Sequence, residues 1–263
     1  MTKKSFLLIF FFLSFILAGR TQQLTLVPQV GLQFVKSKLE YSTLPSINNR
    51  YRHLHPYIGA RLLYQGRKGH GPFLGFAIGA SGYSYELFYP SGIGMDAYDH
   101  LRSSSMKGLW RIELGYHWNS RPIYFKKILD YRYAGIHEMN SPQRGWSVRI
   151  QPMIGAAYQL INDEGSGWVE HTLNGIVVRE DDIVLNRKAN FALLAGLGFE
   201  FGKNDKRKFS LSFNYVRGLG ESITRSKLTI NTASANYYGL LGSNGTSCNI
   251  TLGIPISLGK KKK

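Results

Sequence analysis

A chain of 263 residues, 43% hydrophobic and 13% aromatic, is long enough for one large domain or two ordinary ones. No internal stretch approaches the run of about 18 apolar residues that a spanning helix needs, so the sequence points away from a helical membrane protein. Cys248 is the single cysteine, so no intramolecular disulfide framework holds the fold, and the formal charge of +17 calls for a stated partner or a stated side.

Taken in order, the chain opens with basic Met1-Thr2-Lys3-Lys4, an almost unbroken apolar run from Ser5 to Leu17, and the small pair Ala18-Gly19. That layout predicts a secretory signal peptide over residues 1–22. Eight segments of alternating character follow, at 24–36, 54–65, 73–85, 107–118, 145–159, 189–202, 208–215 and 247–258. Successive side chains on a strand point to opposite faces, so each segment predicts a strand with one apolar and one small or polar side. The hairpin over 189–215 shows it best. Phe191, Leu193, Ala195, Leu197, Phe199 and Phe201 share one face, and Gly196, Gly198 and Glu200 share the other. Soluble strands average about five or six residues, whereas about ten alternating residues is what a tilted strand needs to cross a bilayer. In the third segment the phase slips near Gly82, which predicts a bulge.

The connectors alternate in length. Those at 37–53, 87–106, 161–188 and 220–246 are long and predict outer loops; those at 66–72 and 203–207 are short and predict inner turns. The exception is an inner insert over 119–144, whose stretch 123–133 fits either a short amphipathic helix or an extra hairpin. The predicted fold is therefore all-β: a transmembrane antiparallel up-and-down β-barrel of about eight strands over 23–259, behind a signal peptide, with a basic tail at 260–263. Its expected location is the cell outer membrane.

The same alternation turns Arg61, Arg111, Glu113, Arg149 and Glu200 inward. Eight strands leave an interior that side chains fill, so these charges predict a paired network in the lumen, with Gln29, Gln33, Gln151 and Asn214 around it. Arg67, Lys68, Lys126, Lys127, Lys203, Lys206, Arg207 and Lys208 fall on the predicted periplasmic side and form a basic rim. Such a rim attracts anionic head groups or an envelope partner, and it also fixes the barrel against sliding. Trp110, Trp118, Trp146, Tyr116, Tyr158, Phe201, Phe209 and Tyr215 share the outward parity, as aromatic girdles do.

Catalysis has one local candidate, His117-Trp118-Asn119-Ser120 at the end of the fourth segment. It faintly resembles the His-x-Ser-Asn run of outer-membrane lipid A deacylases, but Asn119 stands where that family carries serine and Ser120 lies on the other parity. His53, His55, His70, His100, His137 and His171 show no metal-ligand spacing, and no phosphate-loop glycine signature occurs. No cofactor, metal or catalytic residue is expected, and an exported barrel sets nucleic acid aside.

With the closing pattern Phe209-Ser-Leu-Ser-Phe-Asn-Tyr215 and Asn249-Ile-Thr-Leu-Gly-Ile-Pro-Ile-Ser257, the chain over roughly 24–258 resembles the outer-membrane β-barrel family common in the Bacteroidota, which includes PorT-like proteins and eight-stranded OmpA-like barrels. It ends on Lys263, not on the terminal aromatic of many proteobacterial barrels. The resemblance implies a non-enzymatic structural or partner-interaction role in the envelope, and its PorT-like side implies a link to protein secretion. The expected partners are outer-membrane lipids including lipopolysaccharide, and a periplasmic or outer-membrane protein. A small channel and a lipid-modifying enzyme are the alternatives.

Overall fold

The structure is a computed structural model that describes residues 23–43, 47–48, 54–66, 69–90, 98–125, 145–162, 168–173, 176–184, 189–203, 206–231 and 236–258. The predicted signal peptide, the basic tail at 260–263 and residues 126–144 of the insert lie outside the described residues.

Sixteen strands appear among them. Eight are the wall of a barrel: β1 (Gln23–Val35), β4 (Leu54–Gln65), β5 (His70–Pro90), β6 (Tyr98–Trp118), β8 (Trp146–Asn162), β11 (Ala189–Lys203), β12 (Lys206–Gly218) and β15 (Ser247–Gly253). Each pairs antiparallel with the next, β8 pairs β11, and β15 returns to β1, so the ring is closed. Two-residue strands trim it: β3 (Ile47–Asn48) on β5, β7 (Ile123–Tyr124) on β8, and β16 (Ile256–Ser257) on β1. Closure leaves no open edge in the ring, which is what lets a sheet stand in lipid.

The stagger of the ring follows from the register. Starting at Thr25, the partners run Leu63, Phe73, Gly115, Gly155, Leu194, Val216, Ser247 and back to β1 at Val35, ten residues further on. Ten residues of about 3.3 Å rise, set against eight strand spacings of about 4.8 Å, give a tilt of about 40° and a backbone diameter of about 16 Å. Such a barrel is filled by its own side chains.

Inside and outside are inverted relative to a soluble domain. Outward positions include Val30, Leu32, Ile58, Leu74, Phe76, Ile112, Leu197, Phe213, Leu252 and Ile254, all exposed. Inward positions include Arg61, Arg111, Glu113, Gln33, Gln159, Asn214 and Asn249, all buried. Aromatic side chains cluster near both limits of the apolar band. Tyr116 touches Trp118, and Phe209 touches Trp146 and stacks on Phe201, toward the inner turns; Phe76 touches Trp110 and Tyr158 touches Phe191 toward the other end. Trp110 and Trp118 are eight residues apart on β6, which at this tilt separates the two levels by about 20 Å.

Beyond the upper aromatic level the fold continues. β5 and β6 are each 21 residues long and stay paired throughout, from His70–Trp118 to Pro90–Tyr98. A second antiparallel sheet faces them: β2 (Lys38–Ser42), β14 (Asn236–Ser243), β13 (Thr224–Asn231), β10 (Ile176–Val184) and β9 (Trp168–Leu173). Tyr83 and Tyr85 of β5 pack against Leu228, Ile230 and Leu241 of that sheet, with Leu39 and Tyr237 at the margin. Leu109, Ile161 and Ile223 seal the junction below. Three of the connectors expected as outer loops, 37–53, 161–188 and 220–246, thus contribute a five-stranded cap. The bulge expected at Gly82 is absent, since pairing runs unbroken through Gly82 and Met106. The phase slips there because β5 is buried on both faces: Ala80 to Tyr85 are all buried, with Ser81, Tyr83 and Tyr85 turned to the cap.

Candidate functional site

The lumen carries the charged side chains, and it is built in tiers. In the middle, Arg61 on β4 meets Glu113 on β6, with Nε and Nη2 both 2.8 Å from Oε2. The two are 2% and 1% exposed, which places the ion pair wholly inside the wall. Tyr57 donates its hydroxyl to Glu113 Oε1 at 3.4 Å, and Arg61 Nη1 donates to Asn214 Oδ1 at 3.2 Å. The Arg61 guanidinium also stands over the Phe73 ring at 5.6 Å. Arg111 is on the same inward parity as Glu113. It donates from Nη2 to Ser247 Oγ at 3.2 Å and from Nη1 to the Asn249 amide oxygen at 3.1 Å, once that amide is turned to satisfy both ends.

The lower tier sits at the inner mouth. Glu200 on β11 accepts from Arg149 Nη1 at 3.2 Å and pairs with Arg207 Nε at 3.1 Å. Arg207 also donates to Thr25 Oγ1 and Gln23 Oε1 at 3.3 Å each, and to Gln65. One guanidinium thereby ties β12 to β11, β1 and β4 across the opening. Both tiers share a composition: two arginines around one carboxylate, all lining a lumen that also holds Val27, Leu63, Phe73, Met153, Ala157, Ala192, Leu194 and Val216 as one packed apolar cluster.

At the outer end, Gln33 clamps the backbone of Ala80, donating to its carbonyl at 3.1 Å and accepting from its amide at 2.8 Å. A Cβ on Gly79 would collide with the Gln33 amide, so glycine is needed where this clamp closes. Gln159 donates to the Gly245 carbonyl at 3.1 Å. Ser81 reaches Thr224 and Ser243 of the cap at 3.5 and 3.3 Å, so cap and lumen join in one polar seam.

The residues singled out from the sequence are therefore divided between places. Arg61, Arg111 and Glu113 come together in the middle; Arg149 and Glu200 form a second centre. On the basic rim, Lys203, Lys206 and Lys208 are exposed, while Arg67, Lys68, Lys126 and Lys127 lie outside the described residues. Arg207 differs from its rim neighbours by pointing into the lumen. Straight alternation from Ser210 would turn Lys208 inward. The register instead shifts where Phe201 pairs Phe209 but Gly202 pairs Arg207, and the extra residue moves the phase onto Arg207. His117 is fully buried in the lumen, and among the described residues no side chain hydrogen-bonds either ring nitrogen. The Ser120 hydroxyl points elsewhere, accepting from Ile150 N and donating to the Arg121 carbonyl at 2.9 Å each. Among the described residues no group of metal-ligating side chains occurs.

A closed ring with an apolar exterior, aromatic levels about 20 Å apart and, between those levels, charged side chains such as Arg61, Arg111 and Glu113 turned to the interior belongs in a bilayer. The chain is an outer-membrane β-barrel. No family model matches it, and no curated protein does. Among solved structures, the outer membrane protein OprG from Pseudomonas aeruginosa aligns with 88% of this chain and 95% of its own, at 12% identity and a TM-score of 0.38. The transport unit of the autotransporter AIDA-I from Escherichia coli aligns with 91% of each chain at 13% identity and a TM-score of 0.28.

Proposed function

We propose that this barrel is non-enzymatic and serves envelope structure and the holding of partners, not conduction. The observation that carries this reading is the filled lumen. A solute would have to displace the Arg207 clamp, the apolar cluster, the Arg61–Glu113 pair and the seam under the cap in turn. Against catalysis, among the described residues His117 has no bonded carboxylate or nucleophile, and the Ser120 hydroxyl is committed to the backbone.

Partner contact then falls to the two ends. The inner rim presents Lys203, Lys206 and Lys208, three exposed cations suited to an acidic periplasmic or outer-membrane protein. The cap and outer wall face outer-membrane lipids including lipopolysaccharide. The PorT-like resemblance of the sequence adds a narrower reading, a part in protein secretion. The test is affinity purification of the full-length protein from outer membranes, beside a Lys203→Ala/Lys206→Ala/Lys208→Ala variant. The expected result is a co-purifying protein that the variant loses while its heat-modifiable gel mobility stays intact. A wild-type barrel that brings down no protein, or a variant that keeps every partner, would overturn the inner-rim reading.

A further inference from the structure

The outward wall changes character just above its apolar belt. On β12, Tyr215 is a belt residue at 45% exposure, and two positions further out stands Arg217, also exposed. On β1, Leu32 belongs to the belt, and beyond it stand Lys36 and then Lys38 at the start of β2, both exposed. The strand between them links the two sides: Lys36 N donates to the Thr246 carbonyl and Gly218 N donates to Thr246 Oγ1, at 3.0 Å each. Lys36 and Arg217 therefore flank one position of that strand, about two strand spacings or 10 Å apart. Lys38 pairs Gly242, which pairs Arg225. Arg225 is neutralised by Glu40 at 2.8 Å. Among the described residues, none of Lys36, Lys38 and Arg217 has a carboxylate within ion-pair distance.

Further from the bilayer the same face carries rings. The register lines up Trp168, Asp181, Lys227, Leu240 and Tyr41 in one row across the five-stranded sheet. Trp168 is 63% exposed and Tyr41 59%, and Tyr238 in the adjoining row has the Lys227 ammonium over its ring at 5.6 Å. Cations directly above an apolar belt meet lipid phosphates, and exposed rings among hydrogen-bonding groups higher up meet what those phosphates carry.

We propose that this face is a docking surface for lipopolysaccharide, with Lys36, Lys38 and Arg217 on its phosphates and Tyr41, Tyr238 and Lys227 against its sugars. The inference rests on the outer-membrane placement and deepens the lipid-partner part of the function proposed above. The vertical order of groups selects this ligand. An anionic phospholipid satisfies the cations and leaves the aromatic row uncovered, whereas a phosphorylated glycolipid covers both.

The test compares the full-length barrel with two variants that lose the same charge. Lys36→Ala/Lys38→Ala/Arg217→Ala removes the surface, and Lys203→Ala/Lys206→Ala/Lys208→Ala removes cations at the opposite rim. Each is refolded into phosphatidylcholine nanodiscs containing either lipopolysaccharide or phosphatidylglycerol at matched charge, and the temperature at which heat-modifiable mobility is lost is measured. A ligand that binds only the folded barrel raises that temperature. Lipopolysaccharide is expected to raise it by several degrees in the wild type and the inner-rim variant, with no rise in the outer variant and none from phosphatidylglycerol. An undiminished rise in the outer variant, or an equal rise from phosphatidylglycerol, would overturn the proposal. Absence of heat-modifiable mobility in every sample would instead sink the barrel assignment beneath it.

Discussion

Glu113→Gln probes the charge balance of the lumen directly. Glu113 is the carboxylate that Arg61 grips at 2.8 Å, and Coulombic attraction from Arg111 reaches it as well. All three side chains are about 2% exposed or less. The substitution keeps the volume and removes the charge, leaving two guanidiniums in a dry interior. Stranding one buried charge costs roughly 3–5 kcal/mol, so the variant should lose at least that much. The assay is urea unfolding of the barrel refolded in vesicles, followed by tryptophan fluorescence. At an m-value of about 2 kcal/mol/M, the midpoint should fall by about 2 M. Arg111→Met supplies the contrast. It removes the cation that stands outside the ion pair, leaves Glu113 gripped by Arg61, and should cost less than half as much. A Glu113→Gln variant within about 1 kcal/mol of wild type, or an Arg111→Met variant that is the worse of the two, would refute the reasoning.

Three further outcomes follow from the same geometry. Glu200→Gln should cost less than Glu113→Gln, about 1–2 kcal/mol in the same urea assay, because its partners Arg149 and Arg207 are 25% and 12% exposed at the inner mouth and water screens both pairs. Leu197→Arg places a cation on the lipid side of β11, where Leu197 is 39% exposed; a loss of about 2–4 kcal/mol on refolding into vesicles is expected, and little change on refolding would contradict the outward parity. Leu228→Ala opens a hole in the cap core, where Leu228 is fully buried, at a local cost of about 2–5 kcal/mol. Limited proteolysis should then cut within 220–246 while heat-modifiable mobility of the barrel stays unchanged, and cleavage inside the wall would argue against a separately packed cap.

The wall was legible because one rule governs it. Wherever a strand has lipid on one side and the lumen on the other, its side chains must alternate, and Leu193 to Phe201 or Arg111 to Tyr116 show that in the bare sequence. The cap was not legible for the same reason reversed. Thr224–Asn231 is only eight residues long, and its buried face carries Thr224 and Ser226 beside Leu228 and Ile230, so it reads as a polar loop until Tyr83 and Tyr85 are placed over it. On β5 both faces are buried from Ala80 to Tyr85, and a strand buried on both sides loses its period. Inward charges could be assigned, because alternation fixes their parity. Which of them pair could not, because that depends on the ten-residue stagger around the ring, a property of closure and not of any one segment. Arg207 escaped because a single bulged residue reverses parity, and nothing in Lys206-Arg207-Lys208 marks which cation will turn inward.

The filled lumen is the central claim, and single-channel recording of the purified full-length barrel in a planar bilayer tests it most directly. The lumen's two Arg–Glu–Arg tiers, apolar cluster and capped outer end predict a flat trace over the whole voltage range at which the bilayer itself is stable. Discrete, reproducible conductance steps from a heat-modifiable, folded preparation would contradict it.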